Sequence, residues 1–279
     1  MTKNMNVPQL YDRQLEKVLT FIESNLDDHL SVEELSCVCG YSRFHFQRIF
    51  KEYVGESIGT YINRIRIERS AFMLKYQYKK ISSVGMRTGY NSNTAFTRAF
   101  KKYYNLSPVD FRNSIVNYDC LDIETPPYEI VNIKDKKVFF IRTKGDYEIY
   151  EPYAWKQFFV NYEDEIYDDN QYITICYDDP TIVKTQSTLR YEACALYDVQ
   201  KHKNLDKLNL KTIKGGKYAK FSFEGTLKEL DEFFYKIYYS FFHNKEYQIQ
   251  FSPAFQLHHN HIDNLLFGTT KTDFYFPIE

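Results

Sequence analysis

The sequence predicts a multidomain chain: an all-α domain with tandem helix-turn-helix motifs, followed by an α+β domain of two duplicated strand-helix-strand-strand modules. Three observations predict this fold class. Helical periodicity runs through residues 1–115 without a strand signal, a unit of about 50 residues repeats in that half, and beyond residue 127 a strand, a helix and further strands occur twice. The predicted divisions are residues 1–115, a linker at 116–127 that ends in a Pro pair, and residues 128–279.

Composition places the chain among globular proteins. The 279 residues are 43% hydrophobic and 26% charged, which is typical of a chain that buries one or two cores. No uncharged apolar run approaches the roughly 18 residues of a membrane span, and the N-terminus MTKNMNVPQLYDRQ has no apolar signal segment. The five cysteines are scattered and include no CxxC pair. We therefore expect no disulfide framework, no structural zinc and a cytoplasmic location.

Charge is divided unevenly between the two halves. Residues 1–115 contain 17 Lys and Arg against 11 Asp and Glu, a balance of +6, whereas residues 116–279 contain 19 against 26, a balance of −7. A basic half favours a polyanionic partner and an acidic half disfavours one. The two halves are therefore expected to bind different partners.

Amphipathic stripes and caps predict the helices of the first half. The pattern of Ser31 to Glu34 fits a capping box that begins a helix, and Gly40 is suited to end it. A second helix from about Arg43 to Tyr53 follows a tight turn, which makes a helix-turn-helix. A separate helix precedes this motif, and its inward stripe is Leu15, Val18, Leu19, Ile22 and Leu26. The inward stripe of the helix that starts near Arg43 is Phe46, Ile49, Phe50 and Tyr53.

The helical unit occurs twice. Gly40-Tyr41 recurs as Gly89-Tyr90, and after a one-residue insertion the offset becomes 50, which matches Arg48 with Arg98. A Pro-free helix from Ile58 to Leu74, about 25 Å long, is predicted to join the copies, and Ser107-Pro108 to start a last short helix. The other matched pairs at this offset are Phe46 and Phe96, Phe50 and Phe100, Lys51 and Lys101, Tyr53 and Tyr103, and Ser57 and Ser107.

The outward faces of the repeated second helices carry the side chains that contact DNA in major grooves. Gln pairs with adenine, Arg with guanine and Lys with phosphate. Two such helices on one rigid joining helix could enter successive major grooves, roughly 34 Å apart, or bend the duplex if they lie closer. The candidate DNA-binding residues are Phe44, Gln47, Arg48 and Lys51 in the first copy, and Asn93, Thr94, Thr97, Arg98 and Lys101 in the second.

Two stretches of this half carry a family signature. They are LSVEELSCVCGYSRFHFQRIFKEYVGESIGTYINRIRI and ISSVGMRTGYNSNTAFTRAFKKYYNLSPVDFR. With them, residues 10–114 resemble the DNA-binding domain of the AraC/XylS transcription regulators. The resemblance implies that Phe44, Gln47 and Arg48 approach bases from the first recognition helix, and Asn93, Thr94 and Arg98 from the second.

The second half contains no catalytic or cofactor motif. It has no G-x-S-x-G, P-loop or H-E-x-x-H pattern, so no cofactor is expected. Its aromatic side chains could line a cavity for an aromatic or amphipathic molecule, although each one alone fits an ordinary core position. The candidate ligand-binding residues are Tyr147, Trp155, Tyr191, Tyr218, Gln256, His258 and Tyr275.

Three nearby histidines raise the question of a metal. In His258-His259-x-His261, neighbouring strand positions point to opposite faces, so only two of the three could converge, and Asp263 is the one carboxylate close by. A hydrogen-bonded strand end is the expected role, and no metal site is predicted.

The order of motifs in the second half also carries a resemblance. RYEACALYDV, IKGGKYAKFSFEGTLKELDEFFYKIY, SPAFQLHHN and TDFYFPI follow one another, and residues 125–279 resemble the GyrI-like effector-binding domain found behind AraC-type domains in Rob-like regulators. The resemblance implies two modules related by a pseudo-twofold axis, with a ligand channel between them.

One departure from that family's pattern bears on the ligand. The family's strand P-x-F-E-x-Y carries a Glu that meets cationic ligands, whereas here Gln256 stands in its place and His258 replaces the Tyr. An amide forms hydrogen bonds but no ion pair. A neutral or differently charged ligand, or none, is therefore expected, and acid-base hydrolysis is disfavoured because Gln does not titrate.

The two resemblances together predict a cytoplasmic, non-enzymatic transcription regulator. Its expected partners are double-stranded promoter DNA, a small-molecule effector and, through a promoter, RNA polymerase, with no membrane. Two alternatives stay open: the second domain hydrolyses or sequesters a small molecule, or it only contacts other proteins.

Overall fold

The computed structural model describes residues 7–76, 80–114, 123–242, 247, 250, 253–259 and 269–279. The chain divides into two compact units, Met1–Val116 and Asn117–Glu279. Most of the sequence-predicted linker, residues 116–122, lies outside the described residues, as do Cys120, His261 and Asp263. None of the helices in the described part has the length and apolar character needed to cross a bilayer.

The first unit is helical throughout its described part. The helix joining the two copies is confirmed and extends to Tyr76, two residues beyond its predicted end. In chain order the helices are α1 (Val7–Ser24), α2 (Val32–Cys39), α3 (Arg43–Val54), α4 (Ile58–Tyr76), α5 (Ile81–Arg87), α6 (Asn93–Tyr104) and α7 (Pro108–Ser114).

Local sequence decides where these helices begin and end. The Ser31 hydroxyl accepts a hydrogen bond from the backbone N–H of Glu34 at 3.1 Å, which caps α2. Gly40 ends α2 with φ +71, and Gly89 occupies the repeated position after α5 with φ +82. A side chain at either position would be strained. The repeated Gly-Tyr pair therefore marks the same tight turn in both copies.

A contact between a tyrosine hydroxyl and a buried glutamate is also duplicated. The Tyr53 hydroxyl on α3 donates to Glu16 on α1 at 2.9 Å, and the Tyr103 hydroxyl on α6 donates to Glu68 on α4 at 2.6 Å. Both carboxylates are buried. In each copy the second helix of the motif is thus tied to the preceding long helix, and α4 holds the second copy as α1 holds the first.

The second unit contains eight described strands in a single antiparallel sheet, with order β1-β6-β8-β7-β3-β4-β2-β5. The strands are β1 (Tyr128–Ile133), β2 (Lys136–Lys144), β3 (Tyr172–Cys176), β4 (Arg190–Leu196), β5 (Leu210–Ile213), β6 (Gly216–Thr226), β7 (Phe255–His258) and β8 (Thr269–Pro277). The helices are α8 (Tyr147–Asn161), after β2, and α9 (Leu227–Lys236), after β6.

The strand order shows the predicted duplication. When β1 to β4 are exchanged with β5 to β8, the order reads the same from the opposite end, so a pseudo-twofold axis passes between β3 and β7. The edge strands β1 and β5 were not predicted, because each is short and half-exposed. β1 pairs with β6 and β5 pairs with β2, so each module completes the sheet of the other.

The two ends of this sheet meet. The turn before β2 touches the turn before β6, where the backbone N–H of Gly215 donates to the Asp135 carboxylate at 2.7 Å. A Cβ at Gly215 would lie 2.5 Å from the Ile133 carbonyl oxygen, so only glycine fits this crossing. The sheet therefore curls, and its inner face encloses a core that includes Val138, Phe140, Ile173, Tyr218 and Phe255.

Both predicted helices of this unit have different bounds in the structure. The sequence predicts the first over residues 150–166, but α8 starts at Tyr147 because the Asp146 carboxylate caps the N–H of Glu148 at 3.1 Å. The second was expected over 226–242. It begins as predicted, with Thr226 and Glu229 in a capping box, but α9 ends at Lys236 and a π-helical turn, Ile237–Phe241, follows.

A buried ionic cluster connects three neighbouring strands at one end of the inner face. The Glu192 carboxylate on β4 accepts hydrogen bonds from Arg142 on β2, at 2.6 Å, and from Lys211, which lies in β5. All three side chains are almost completely enclosed. Removing one partner from such a cluster leaves an uncompensated buried charge.

We expect Glu192→Gln to destabilise the second unit by about 3–5 kcal/mol, because Gln keeps the volume but leaves two buried cations without their anion. The single Trp of the chain, Trp155, lies in this unit, so denaturant unfolding followed by its fluorescence reports this unit alone. Glu224→Gln is the control, since the pair of Glu224 and Lys271 is exposed and should contribute less than about 1 kcal/mol. Equal stability of the two variants would contradict the expectation.

Candidate functional site

The predicted DNA-binding residues all lie on the outward faces of α3 and α6. Phe44 is 84% exposed, an unusual exposure for a large apolar side chain and one suited to contact with a thymine methyl group. Gln47 is half-buried. The remaining seven residues are exposed: Arg48 and Lys51 on α3, and Asn93, Thr94, Thr97, Arg98 and Lys101 on α6.

The two outward faces differ in charge. On α3, Arg48 lies 4.0 Å from Glu52 one turn later, with both side chains exposed. At the offset of 50 the counterpart of Glu52 is Lys102, which follows Lys101 on α6. The α6 face therefore lacks the acidic residue and presents a more positive surface. On α3 the contact between Arg48 and Glu52 is weak, because solvent screens two exposed charges.

The sheet of the second unit separates the predicted ligand residues into two groups. Tyr218 and Tyr275 lie on the inner face, where both rings contact Phe255. The other five share the opposite face, which α8 covers, and we call this set with its neighbours the α8 cleft. They are Tyr147 and Trp155 on α8, Tyr191 on β4, and Gln256 and His258 on β7.

The floor of the α8 cleft is a hydrogen-bond network centred on Tyr191. The Trp155 indole N–H donates to the Tyr191 hydroxyl oxygen at 2.9 Å, and the Thr174 hydroxyl lies 3.0 Å from it. The Tyr191 hydroxyl in turn donates to the Glu151 carboxylate at 2.9 Å. Burial raises the pKa of Tyr191, as does the nearby charge of Glu151, which keeps its hydroxyl protonated.

His258 extends this network across the sheet. Its Nε2 lies 2.9 Å from the Thr174 hydroxyl and its Nδ1 lies 3.1 Å from the Thr272 hydroxyl. Burial lowers the pKa of His258 to about 3, and the adjacent His259 adds to this effect. His259 points away and bonds the Asp273 carboxylate at 2.9 Å. Among the described residues no group of three or more side chains is arranged to hold a metal ion.

The mouth of the cleft is lined by half-buried groups. Gln256 donates through its amide to the Cys176 sulfur at 3.9 Å, and burial raises the pKa of the Cys176 thiol well above its usual value. The Tyr147 hydroxyl is held 3.0 Å from the Asp178 carbonyl oxygen. Tyr147, Glu151, Cys176 and Gln256 are all of intermediate exposure, so each residue keeps some contact with solvent.

Glu151 was missed by the sequence analysis, although a signal existed. Tyr147, Glu151 and Trp155 fall at i, i+4 and i+8, which places them on one face of a helix. Two of the three were selected as aromatic ligand residues. The helical spacing alone could have added the carboxylate between them.

Two family descriptions match the chain. The GyrI-like small molecule binding domain matches residues 126–279, more than half of the chain, and a helix-turn-helix domain matches residues 35–114. The chain belongs to the GyrI-like family. Its domain order is that of an AraC-type, Rob-like regulator, which confirms both resemblances.

Curated relatives of this GyrI-like protein match its first half. YbfP of Bacillus subtilis, an uncharacterised helix-turn-helix regulator, is 36% identical over 102 residues, which are 37% of this chain and 35% of the relative. The transcriptional regulator Rob of Salmonella typhimurium is 36% identical over 97 residues, covering 35% and 34%. The multiple antibiotic resistance protein MarA of the same organism is 37% identical over 98 residues, covering 35% and 77%. The matched stretch thus spans about a third of YbfP and of Rob.

The depressed pKa of His258 predicts a pH dependence of stability. An unfolded chain protonates this residue below about pH 6.5, whereas the folded chain does so only near pH 3. The unfolded state therefore binds more protons in that window, and stability should fall as the pH decreases from about 6.5 towards 3. We expect the melting temperature of the second unit, followed by Trp155 fluorescence, to drop less between pH 7 and 5 in His258→Gln than in the parent. His259→Gln is the adjacent control, and an identical drop in all three would contradict the assignment.

Proposed function

We propose that this GyrI-like protein is a transcription regulator that binds double-stranded promoter DNA through α3 and α6 and senses a small molecule in its second unit. The observation that carries the DNA-binding proposal is the duplicated recognition face: two equivalent helices each expose an Arg and a Lys at matched positions. The helix-turn-helix match and the regulators among its relatives support it. One further relative, from Escherichia coli, is named right origin-binding protein.

The opposite net charges of the two halves support different binding partners for the two units. The first half carries the net positive charge that phosphate contacts require, and the second half is acidic. Phosphate contacts would supply most of the affinity, and base contacts would choose the site. Action on a promoter would place the protein in the cytoplasm and next to RNA polymerase.

Small-molecule sensing is proposed for the α8 cleft. The family description names small-molecule binding, and the cleft combines buried aromatic rings with a few oriented polar groups at a partly open mouth, as ligand sites do. Two of the named relatives, YbfP and Rob, are called transcriptional regulators. We therefore propose that the cleft binds its ligand without converting it.

Single substitutions test the recognition faces. Arg48→Ala and Arg98→Ala in the full chain should each weaken binding to a site selected from random duplexes by about 1–3 kcal/mol and relax base preference there. Lys51→Ala and Lys101→Ala should weaken binding to all sequences similarly and lower the salt dependence, because phosphate contacts carry no sequence information. The measurement is a fluorescence anisotropy titration over several salt concentrations. Lys17→Ala, an exposed change on α1, is the control. Parent-like binding by both Arg variants would refute the recognition faces.

A substitution at Gln256 tests the proposed ligand site. Gln256 lies on the cleft side of β7 near Cys176, so Gln256→Glu should place a second carboxylate at the mouth. Affinity for aromatic cations should then rise by about 1–3 kcal/mol if the site is desolvated, and by less if water enters. Titration of parent and variant with a panel of cationic dyes measures this gain. Equal affinities would contradict a ligand site at this strand.

A further inference from the structure

Arg66 lies near the middle of α4, the helix that joins the two copies of the helix-turn-helix unit. Its Nε donates to the Leu26 carbonyl oxygen at 2.9 Å and its Nη2 donates to the Asp28 carbonyl oxygen at 2.6 Å. Both carbonyls belong to the segment that follows α1 and leads to α2. A guanidinium holds two acceptors in a fixed geometry, because its donors lie in one rigid plane. Arg66 therefore connects α4 to the end of the first helix of the first copy.

The same guanidinium packs against the turn of the second copy. A Cβ at Gly89 would lie 2.6 Å from the Arg66 Cζ, so the side chain crosses directly over this glycine. Beside it, the Tyr90 hydroxyl donates to the Asn63 side-chain oxygen on α4 at 2.7 Å. This turn leads into α6. The end of α1, the middle of α4 and the turn before α6 thus meet at one side chain, and we call this contact the Arg66 junction.

The Arg66 junction is partly enclosed. Burial lowers the pKa of the Arg66 guanidinium, while nearby Tyr90 and Asp27 oppose this effect. An arginine remains charged at neutral pH, and hydrogen bonds from a charged donor are stronger than neutral ones. Because its two acceptors are backbone carbonyls, Arg66 fixes the position of the chain itself.

The first copy differs at the corresponding positions. The two tyrosine–glutamate contacts align α1 with α4, from residue 16 to residue 68, which is an offset of 52. This offset places Gln14, a shorter and uncharged side chain, at the position of Arg66. A Cβ at Gly40, which corresponds to Gly89, would meet no atom within 4 Å. The contact over the turn is therefore particular to the second copy.

Arg66 also marks the place where α4 passes from one copy to the other. Before it, Ile58, Ile62 and Ile65 pack into the core of the first copy. After it, Glu68 accepts the hydrogen bond that comes from α6. A small change of angle at this place moves α6 relative to α3. On a duplex, one base pair corresponds to a shift of about 3.4 Å and a rotation of about 34°, so such a change alters which spacing of base contacts fits.

We propose that Arg66 is a positioning residue that fixes the separation of the two DNA half-sites that this protein accepts. It binds the end of α1 and the turn before α6 at the same time, so it holds the second copy in one place relative to the first. The two recognition helices then fit a single spacing. This inference rests on the proposed DNA-binding function and adds a spacing requirement that neither recognition face contains by itself.

The preference for half-site spacing is the readout, because a purely structural role would not change it. The base pairs whose preference relaxes in Arg48→Ala and in Arg98→Ala define the two half-sites of the selected duplex. Two further duplexes carry one base pair inserted or deleted between them. We expect the full-length parent to bind each altered duplex about tenfold more weakly or worse. Arg66→Met keeps the length of the side chain without its donors, and should reduce this preference to about threefold or less.

Two glycine variants test the same contact without changing Arg66. Gly89→Ala places a Cβ where the guanidinium lies, so it should displace Arg66 and relax the spacing preference as Arg66→Met does. Gly40→Ala is the matched control, because it has the same left-handed strain but its Cβ meets no neighbour. It should keep the parent's preference. Gly89→Ala should add nothing further to Arg66→Met in the double variant, and Arg66→Lys, which keeps the charge without the planar fork, should retain part of the preference.

A second measurement needs no DNA. Cys37 on α2 and Met86 on α5 are both exposed and are equivalent by the 49-residue offset of the repeated turn. Spin labels at Cys37 and at Met86→Cys report the separation of the two copies by pulsed EPR, with Cys120→Ser and Cys176→Ser to avoid labels elsewhere. We expect one narrow distance distribution in the parent and a broader one in the variants that displace Arg66.

Each result decides the matter. An unchanged spacing preference or an unchanged distance distribution in Arg66→Met would overturn the proposal. Relaxation by Gly40→Ala as large as that by Gly89→Ala would also overturn it, since backbone strain would then explain the effect. Circular dichroism reports whether each variant is folded, and if Arg66→Met is not, the glycine pair and Arg66→Lys decide. A parent that binds DNA without a spacing preference would refute only this inference, whereas a parent that binds no duplex would refute the proposed function as well.

Discussion

Buried carboxylates that must be satisfied by donors from other elements organise both units. In the first unit Glu68 on α4 accepts a hydrogen bond from the Tyr103 hydroxyl on α6 and forms an ion pair with Arg64 at 3.0 Å. In the second, Glu192 connects β4 to its two neighbouring strands. Each contact is specific because an unsatisfied carboxylate in a core is far more costly than a mispacked methyl group. These polar contacts therefore select one alignment between helices or strands whose apolar surfaces alone would permit several.

Each unit is built from two copies of one module, and the two copies differ at individual positions. The repeated Tyr–Glu contact holds α3 and α6 in equivalent positions, so their outward faces, which we propose to contact DNA, become comparable. The exchange of Glu52 for Lys102 then makes the second face more positive. In the sheet, the palindromic strand order supplies two equivalent modules. On the side covered by α8, Glu151 accepts a hydrogen bond from the Tyr191 hydroxyl on β4.

The candidate sites differ in how far sequence could predict them. Candidate recognition residues such as Arg48 and Arg98 could be predicted to lie on equivalent outward faces because helical spacing and an internal repeat are both readable from the sequence. Of the ligand residues, five share a cleft and two, Tyr218 and Tyr275, lie on the other face of the sheet. Strand alternation correctly placed Gln256 and His258 on one face of the sheet. It could not show whether Tyr218 on β6 and Tyr275 on β8 lie on that face, because this depends on the register between strands that are distant in sequence.

The sequence by itself determined the helices of the first unit, the caps at several helix ends and the order of the modules. Ser31, Gly40 and Thr226 act within one turn of the chain, so their effects are readable from neighbours in sequence. Only the tertiary structure decided that Glu151 lies against Tyr191, that β1 pairs with β6, and that Gly215 crosses Asp135. These contacts join residues at least 40 positions apart, and their energy depends on burial and on the direction of each donor. Neither quantity exists until the sheet has curled and α8 has packed on it.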